Sequence, residues 1–263
     1  MSNSQDGKMT ERLDFSDSRV FVTGGTRGIG KAIALAFAKS GAQVAINYLR
    51  NREAADETLK ALSEFGDGHL VVKGNVAEAA KVERMYDTIG EAWGRLDTLV
   101  SNAASGVLKP AMEMTPKHLD WTMTINASAI LALSQGAVKL MEPGRRANIV
   151  ATSSLGATRA LPNYFAVGAS KGALESMIRH LMMELAPRGI NVNAVSAGLV
   201  DTEALTHFPN REDMLSGAVG KTPSGRLTTP NDVADAVLFL CSRYASQIHG
   251  QTLVVDGGSS VLA

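Results

Sequence analysis

The segment TSSLGATRALPNYFAVGASKGALE (152–175) carries a phenol and an ammonium group, Tyr164 and Lys171, seven positions apart. A phenol can donate a hydrogen bond or a proton to an oxygen that gains charge, and a nearby cation adds positive potential. Seven residues complete about two turns of α-helix, so the two side chains would share a face if the helix reached back to Tyr164. Pro162 stands at that end. The chain has four tyrosines, and the other three, Tyr48, Tyr86 and Tyr244, fall at a strand end, in an early helix and in the penultimate helix. If a tyrosine does chemistry here, it is Tyr164.

A second constellation lies near the start, where RVFVT runs into TGGTRGIG (23–30) and then KAIALAFAKS. Gly24, Gly28 and Gly30 permit a tight turn and a close backbone approach. The helix that follows offers unpaired N–H groups and the positive end of its dipole to a pyrophosphate. Thr26, Arg27 and Ile29 complete the loop. An NAD-selective site places Asp or Glu at the end of the next strand to hold the adenine ribose. That point reads INYLRNR, with Asn47 where the acid is expected and Arg50 and Arg52 just beyond. Guanidinium groups suit a 2′-phosphate and a carboxylate repels it, so the sequence predicts NADPH.

Such residues need a frame. Apolar runs at 19–23, 42–47, 69–74, 97–101, 147–152, 190–196 and 251–256 alternate with helical patterns, one of them a long helix over 118–141. Several runs are apolar throughout, as expected for strands covered on both faces. The order predicts an α/β, single-domain, doubly wound Rossmann fold over 18–263 with a mainly parallel seven-stranded sheet. Residues 1–17 are polar and are expected to be a disordered extension. Residues 197–229 follow a strand end without clear periodicity and are read as a substrate lid, with Phe208, Met214, Leu215 and Val219 as candidate acyl-channel residues. Apolar positions in the helices at 117–141 and 166–186 exceed what one core needs, which predicts oligomerisation.

The 26 basic and 26 acidic residues balance, which argues against a nucleic-acid partner. Cys241 is the only cysteine, so no intrachain disulfide can form, and its apolar surroundings predict a buried thiol. The five histidines show no metal-ligand spacing, and no metal is expected. No apolar segment approaches ~18 residues and the start lacks a signal-peptide core. A cytoplasmic enzyme with no membrane partner is expected.

Together with the glycine loop, SNAAS (101–105), Asn126 and DGG (256–258) resemble the short-chain dehydrogenase/reductase superfamily from about Ser18 to the C-terminus. The resemblance implies that Asn75 and Val76 flank the adenine and that Asn102 and Ala103 line the cofactor floor. It also implies that Gly198 and Thr202 lie beside the cofactor, with Thr202 at the nicotinamide carboxamide. SAG (196–198) departs from the superfamily, which often has a proline before that glycine. The usual catalytic set has a serine seventeen residues before the lysine, here Ser154, and a tyrosine four before it, here Val167.

That displacement suits a particular reaction. A ketone reductase needs its acid beside the oxygen on the carbon that takes the hydride. In an α,β-unsaturated thioester hydride goes to the β-carbon while charge collects on the carbonyl oxygen two bonds further along. The donor must then stand further from the nicotinamide. LGATRALPNYFAVGASKGALE is similar to the active-site segment of bacterial enoyl-acyl-carrier-protein reductases. NAASGVLKPAMEM (102–114), DWTMTIN (120–126) and HFPNRED (207–213) resemble the NADPH-dependent FabL type. This implies that Tyr164 bonds the thioester carbonyl and that Lys171 holds the nicotinamide ribose. A related subclass carries a second tyrosine in place of Ser154, which leaves Ser154 as a secondary donor. The substrate implied is an enoyl thioester on acyl carrier protein or CoA in fatty-acid elongation, and the assembly implied is a homotetramer. Lys221 and Arg226 near the lid are candidates for docking an acidic carrier. Ketone reduction, a non-catalytic dinucleotide-binding role and enoyl reduction in secondary metabolism remain alternatives at this stage.

Overall fold

The seven apolar runs become seven strands of one sheet. They are β1 (Arg19–Val22), β2 (Gln43–Tyr48), β3 (Leu70–Lys73), β4 (Thr98–Ser101), β5 (Ala147–Ser154), β6 (Ile190–Ala197) and β7 (Thr252–Val255). The computed structural model describes residues 13–201, 217 and 219–262. The strand order is β3-β2-β1-β4-β5-β6-β7, and every pairing is parallel. Parallel neighbours require crossovers, which helices α1 (Gly28–Lys39), α2 (Arg52–Ser63), α3 (Ala79–Trp93), α4 (Pro116–Met123), α5 (Ala129–Leu140), α6 (Phe165–Leu185) and α7 (Pro230–Cys241) provide.

Alternation along each strand feeds two cores. Phe21, Leu99, Ile149 and Val192 point to one face and pack against α3, α5 and α6 through Met85, Ile89, Leu133 and Ile178. Val20, Val22, Val100 and Val150 point to the other and meet α1 and α7 through Ile33, Phe37, Val233 and Val237. With both faces covered, the strands read as continuous apolar runs. Cys241 is buried in α7, and burial pushes its thiol up to about 12. No helix among the described residues is long and apolar enough to cross a membrane.

Two expectations change, and a third falls largely outside the described residues. The ordered fold begins before residue 18: Phe15 is buried, its ring meets Phe37 at 5.0 Å, and its N–H donates to the Ser40 carbonyl. The long helix over 118–141 is interrupted by a π-helical segment, Thr124–Ser128, between α4 and α5. Such segments recur at functional sites, and this one carries Asn126. The stretch read as a lid lies largely outside the described residues, including Phe208, Met214, Leu215 and all of HFPNRED. Its flanks are drawn together, with Val200 bridging Thr228.

Ion pairs tie the rim where the strands begin. Asp17 meets Arg95 at 2.5 Å and Arg145 at 2.9 Å. Asp97 meets Arg145 at 3.0 Å and accepts the Arg19 N–H at 2.8 Å.

Candidate active site

The strand order reverses between β1 and β4, and the crevice beyond their C-terminal ends is where open α/β sheets bind ligands. The glycine loop occupies one side of it. Gly24 and Gly28 take φ of 62° and 51°, a region that side chains disfavour. Gly30 is buried so tightly that a Cβ would overlap the Gly24 carbonyl oxygen and the Asn102 amide. Arg27 is the N-cap of α1; its side chain makes no capping bond, and the first turn holds no acid. The helix therefore presents free N–H groups to an anion, which fits a pyrophosphate. Ile29 packs against the core and the Thr26 carbonyl accepts from Thr58 at 3.1 Å, anchoring the loop on both sides.

Asn102 and Ala103 form the opposite wall. Both backbone N–H groups donate to Thr23 Oγ1, at 2.9 and 3.0 Å, and the Asn102 amide donates to the carbonyls of Thr23 and Gly24. Asn47 departs from its expected role. It is 3% exposed, its Oδ1 accepts the Gly24 N–H at 3.3 Å, and its Nδ2 donates to the Gly74 carbonyl at 3.0 Å. Successive strand residues point to opposite faces, and position 47 points inward beside Met85. Asn47 thus braces the glycine loop from beneath instead of facing a ribose.

Its neighbour Tyr48 also brings no carboxylate to the β2 end. Arg50 is exposed, whereas Arg52 is paired with Asp56 at 2.8 Å. Asn75 folds back on the start of α3, donating to Glu78 at 2.8 Å, and Val76 is buried in the core. Gly198 donates its N–H to the Val255 carbonyl at 2.9 Å just past β6. Thr202 lies outside the described residues.

On the far side of the crevice Tyr164 is the N-cap of α6 and Lys171 stands two turns inside it. The Tyr164 hydroxyl lies 3.2 Å from Ser154 Oγ, which also accepts the Gly156 N–H. Burial pushes the phenol's pKa up and the Ser154 contact partly opposes it, so Tyr164 stays protonated as a donor around neutral pH. Lys171 is 6% exposed and donates to the Thr152 carbonyl at 2.7 Å. Burial lowers its pKa to about 8, with the Glu175 carboxylate pulling the other way. An ammonium carries three donors, which leaves donors for ribose hydroxyls. Val167, where the superfamily usually has tyrosine, is 8% exposed and packs under Gly106.

Asn126, which the sequence offers only as part of the family resemblance, takes a supporting place in the structure. Asn126 Oδ1 accepts the Ser105 N–H at 2.9 Å and its Nδ2 donates to Ser170 Oγ at 3.1 Å. This clamps the β4 loop to α6, a role that spacing along the chain does not disclose.

Residues 24–260 match the family described as Enoyl-(Acyl carrier protein) reductase. The chain belongs to this family of short-chain dehydrogenase/reductases. A family relative, the 1-cyclohexenylcarbonyl-CoA reductase of Streptomyces collinus, is 41% identical over 92% of this chain and 86% of its own. The glucose 1-dehydrogenase of Gluconobacter oxydans is 32% identical over 93% and 92%. Among solved members, the NADH-dependent enoyl-acyl-carrier-protein reductase of Aquifex aeolicus superposes with a TM-score of 0.87 at 30% identity, covering 95% of this chain and 98% of that one. The family member described here is thus an oxidoreductase of the enoyl-reductase type with a nicotinamide-cofactor fold.

Proposed function

We propose that the protein reduces the 2,3 double bond of an enoyl thioester, carried on acyl carrier protein or CoA, with NADPH, as fatty-acid elongation requires. The observation that carries this reading is the donor's position: the phenol stands at residue 164, and a buried valine fills the place one turn further along α6. Bound NADPH supplies the hydride. Tyr164 donates to the thioester carbonyl oxygen as negative charge gathers there. Lys171 holds the ribose end and adds positive potential, and Ser154 orients the phenol. A proton delivered to the α-carbon, from solvent or through a relay, completes the reduction.

Several features support NADPH and a charged carrier. No carboxylate occupies the β2 end, and Arg27 and Arg50 are exposed beside the loop. A pocket of about 420 Å³ opens against Tyr164, Gly156, Gly168 and Leu161, with Lys109 and Arg159 in its lining and no carboxylate. Those cations suit a phosphorylated pantetheine arm. They are better candidates than Arg226, which is bound to Asp232 at 2.6 Å; Lys221 is exposed.

Following absorbance at the nicotinamide band with crotonyl and acetoacetyl thioesters tests the reading. With NADPH, kcat/KM for the crotonyl compound is expected to exceed that for the acetoacetyl compound by roughly tenfold or more, a difference of ~1.4 kcal/mol in barrier. NADH is expected to serve worse. Faster turnover of the acetoacetyl compound would make the protein a ketone reductase.

Homotetrameric assembly in the cytoplasm is part of the same proposal. Trp121, Leu131, Phe165 and Met183 are exposed on α4, α5 and α6, as are Leu253 and Val254 on the edge strand β7. Apolar surface of this kind marks contact sites. Light scattering at micromolar concentration is expected to give the mass of four chains, and a stable monomer would count against assembly.

A further inference from the structure

Three consecutive residues at the end of β5 each grip a different residue at the start of α6. The Thr152 carbonyl accepts from Lys171 Nζ at 2.7 Å, Ser153 Oγ donates to Glu175 Oε1 at 2.6 Å, and Ser154 Oγ meets the Tyr164 hydroxyl at 3.2 Å. The outer two contacts belong to the reaction centre described above. The middle one does not, yet it buries a carboxylate: Glu175 is 8% exposed and Ser153 is equally enclosed. A carboxylate taken out of water is costly unless something compensates it. One hydrogen bond from Ser153 is modest compensation. The other nearby source is Lys171, four residues earlier on the same helix and therefore on the same face.

We propose that the Ser153–Glu175 pair is a positioning element of the catalytic site, fixing α6 against β5 and holding Lys171 in its charged form. The inference rests on the functional reading above only in taking Lys171 as the cofactor-anchoring cation. A slip of α6 along β5 would break all three contacts together, so the middle bond stabilises the register on which the outer two depend. Its carboxylate also opposes the effect of burial on Lys171, which already lowers that group to about 8.

Among the described residues, Glu175 is the one acidic influence on Lys171. β5, β6 and the π-helical segment contribute no ionisable side chain. On α4, Lys117 and Asp120 are exposed, and His118 is engaged with Thr115 in the N-terminal cap. Tyr164 is protonated. Replacing Glu175 by glutamine keeps the shape and the bond from Ser153 but removes the charge, whereas Ser153→Ala removes the bond and keeps the charge.

The test is a pH titration of the lysine Cε resonances by NMR on the protein without cofactor, paired with NADPH titrations by fluorescence. In Glu175→Gln the Lys171 midpoint is expected to fall by about one pH unit. NADPH affinity should then weaken progressively more than in the native protein as pH rises from 6 to 9, reaching about tenfold. In Ser153→Ala the midpoint is expected to hold while kcat for the enoyl thioester falls about tenfold more than the KM for NADPH changes. An unmoved midpoint in Glu175→Gln, or a loss uniform across pH, would reduce Glu175 to packing and overturn the inference. Should Glu175→Gln fail to fold, Ser153→Ala decides: unchanged kcat overturns the positioning role. The lysine titration involves no enoyl substrate, so its failure is distinct from failure of the proposed reaction.

Discussion

Tyr164→Phe is expected to lower the rate of NADPH oxidation with a crotonyl thioester by about 10²–10³-fold, the cost of losing one preorganised donor to a developing oxyanion. The ring itself has a structural place, stacked over Gly156 and Gly168 so closely that a Cβ at Gly156 would overlap it. Phenylalanine keeps that packing, and Ser154 Oγ keeps the Gly156 N–H it already accepts. The substitution therefore isolates the hydroxyl. Because burial pushes the phenol's pKa up, the native group is a hydrogen-bond donor throughout the neutral range, and the loss should be the same at pH 6 and pH 8. NADPH affinity, measured by fluorescence titration, is expected to stay within about twofold, since Lys171 holds its bond to Thr152 in either case. Wild-type turnover in the variant would mean that another group faces the thioester oxygen.

Gly30→Ala is expected to produce the second large effect, on cofactor binding. Its added methyl would press on the Gly24 carbonyl and the Asn102 amide. Neither can retreat cheaply: Gly24 is held by Asn47 through its N–H, and the Asn102 amide is committed to two loop carbonyls. Overpacking of this kind costs ~1–3 kcal/mol, which corresponds to a roughly ten- to hundredfold weakening of NADPH if the strain is relieved by opening the loop. Urea denaturation measured alongside separates the two ways the strain can be released. Native affinity with unchanged stability would show that the loop has slack that the geometry does not suggest.

The frame was legible because covering both sheet faces leaves a plain mark, a run of apolar residues too short for a helix. Each strand expected from such a run is present. The glycine loop and the Tyr164–Lys171 pair could be found because their chemistry depends on spacing along the chain. What escaped detection depends on direction. Asn47 sits at the expected strand end but points inward, and one residue of alternation separates a ribose ligand from a loop brace. The π-helical break at Thr124–Ser128 adds a residue without changing the apolar pattern enough to show. Phe15 reads as a lone aromatic in a polar stretch, and only the Phe37 ring across from it makes it core. Glu175 and Ser153 lie 22 residues apart, and only the fold pairs them.

The tethered start of the sheet has its own consequence. Asp17, Arg95, Asp97 and Arg145 knit together the ends of the strands opposite those that carry the glycine loop, Asn102, Ser154 and Gly198. The ion-paired rim and the candidate site thereby lie at opposite poles of one scaffold. Changes made at one pole are therefore expected to add to changes made at the other with little coupling between them.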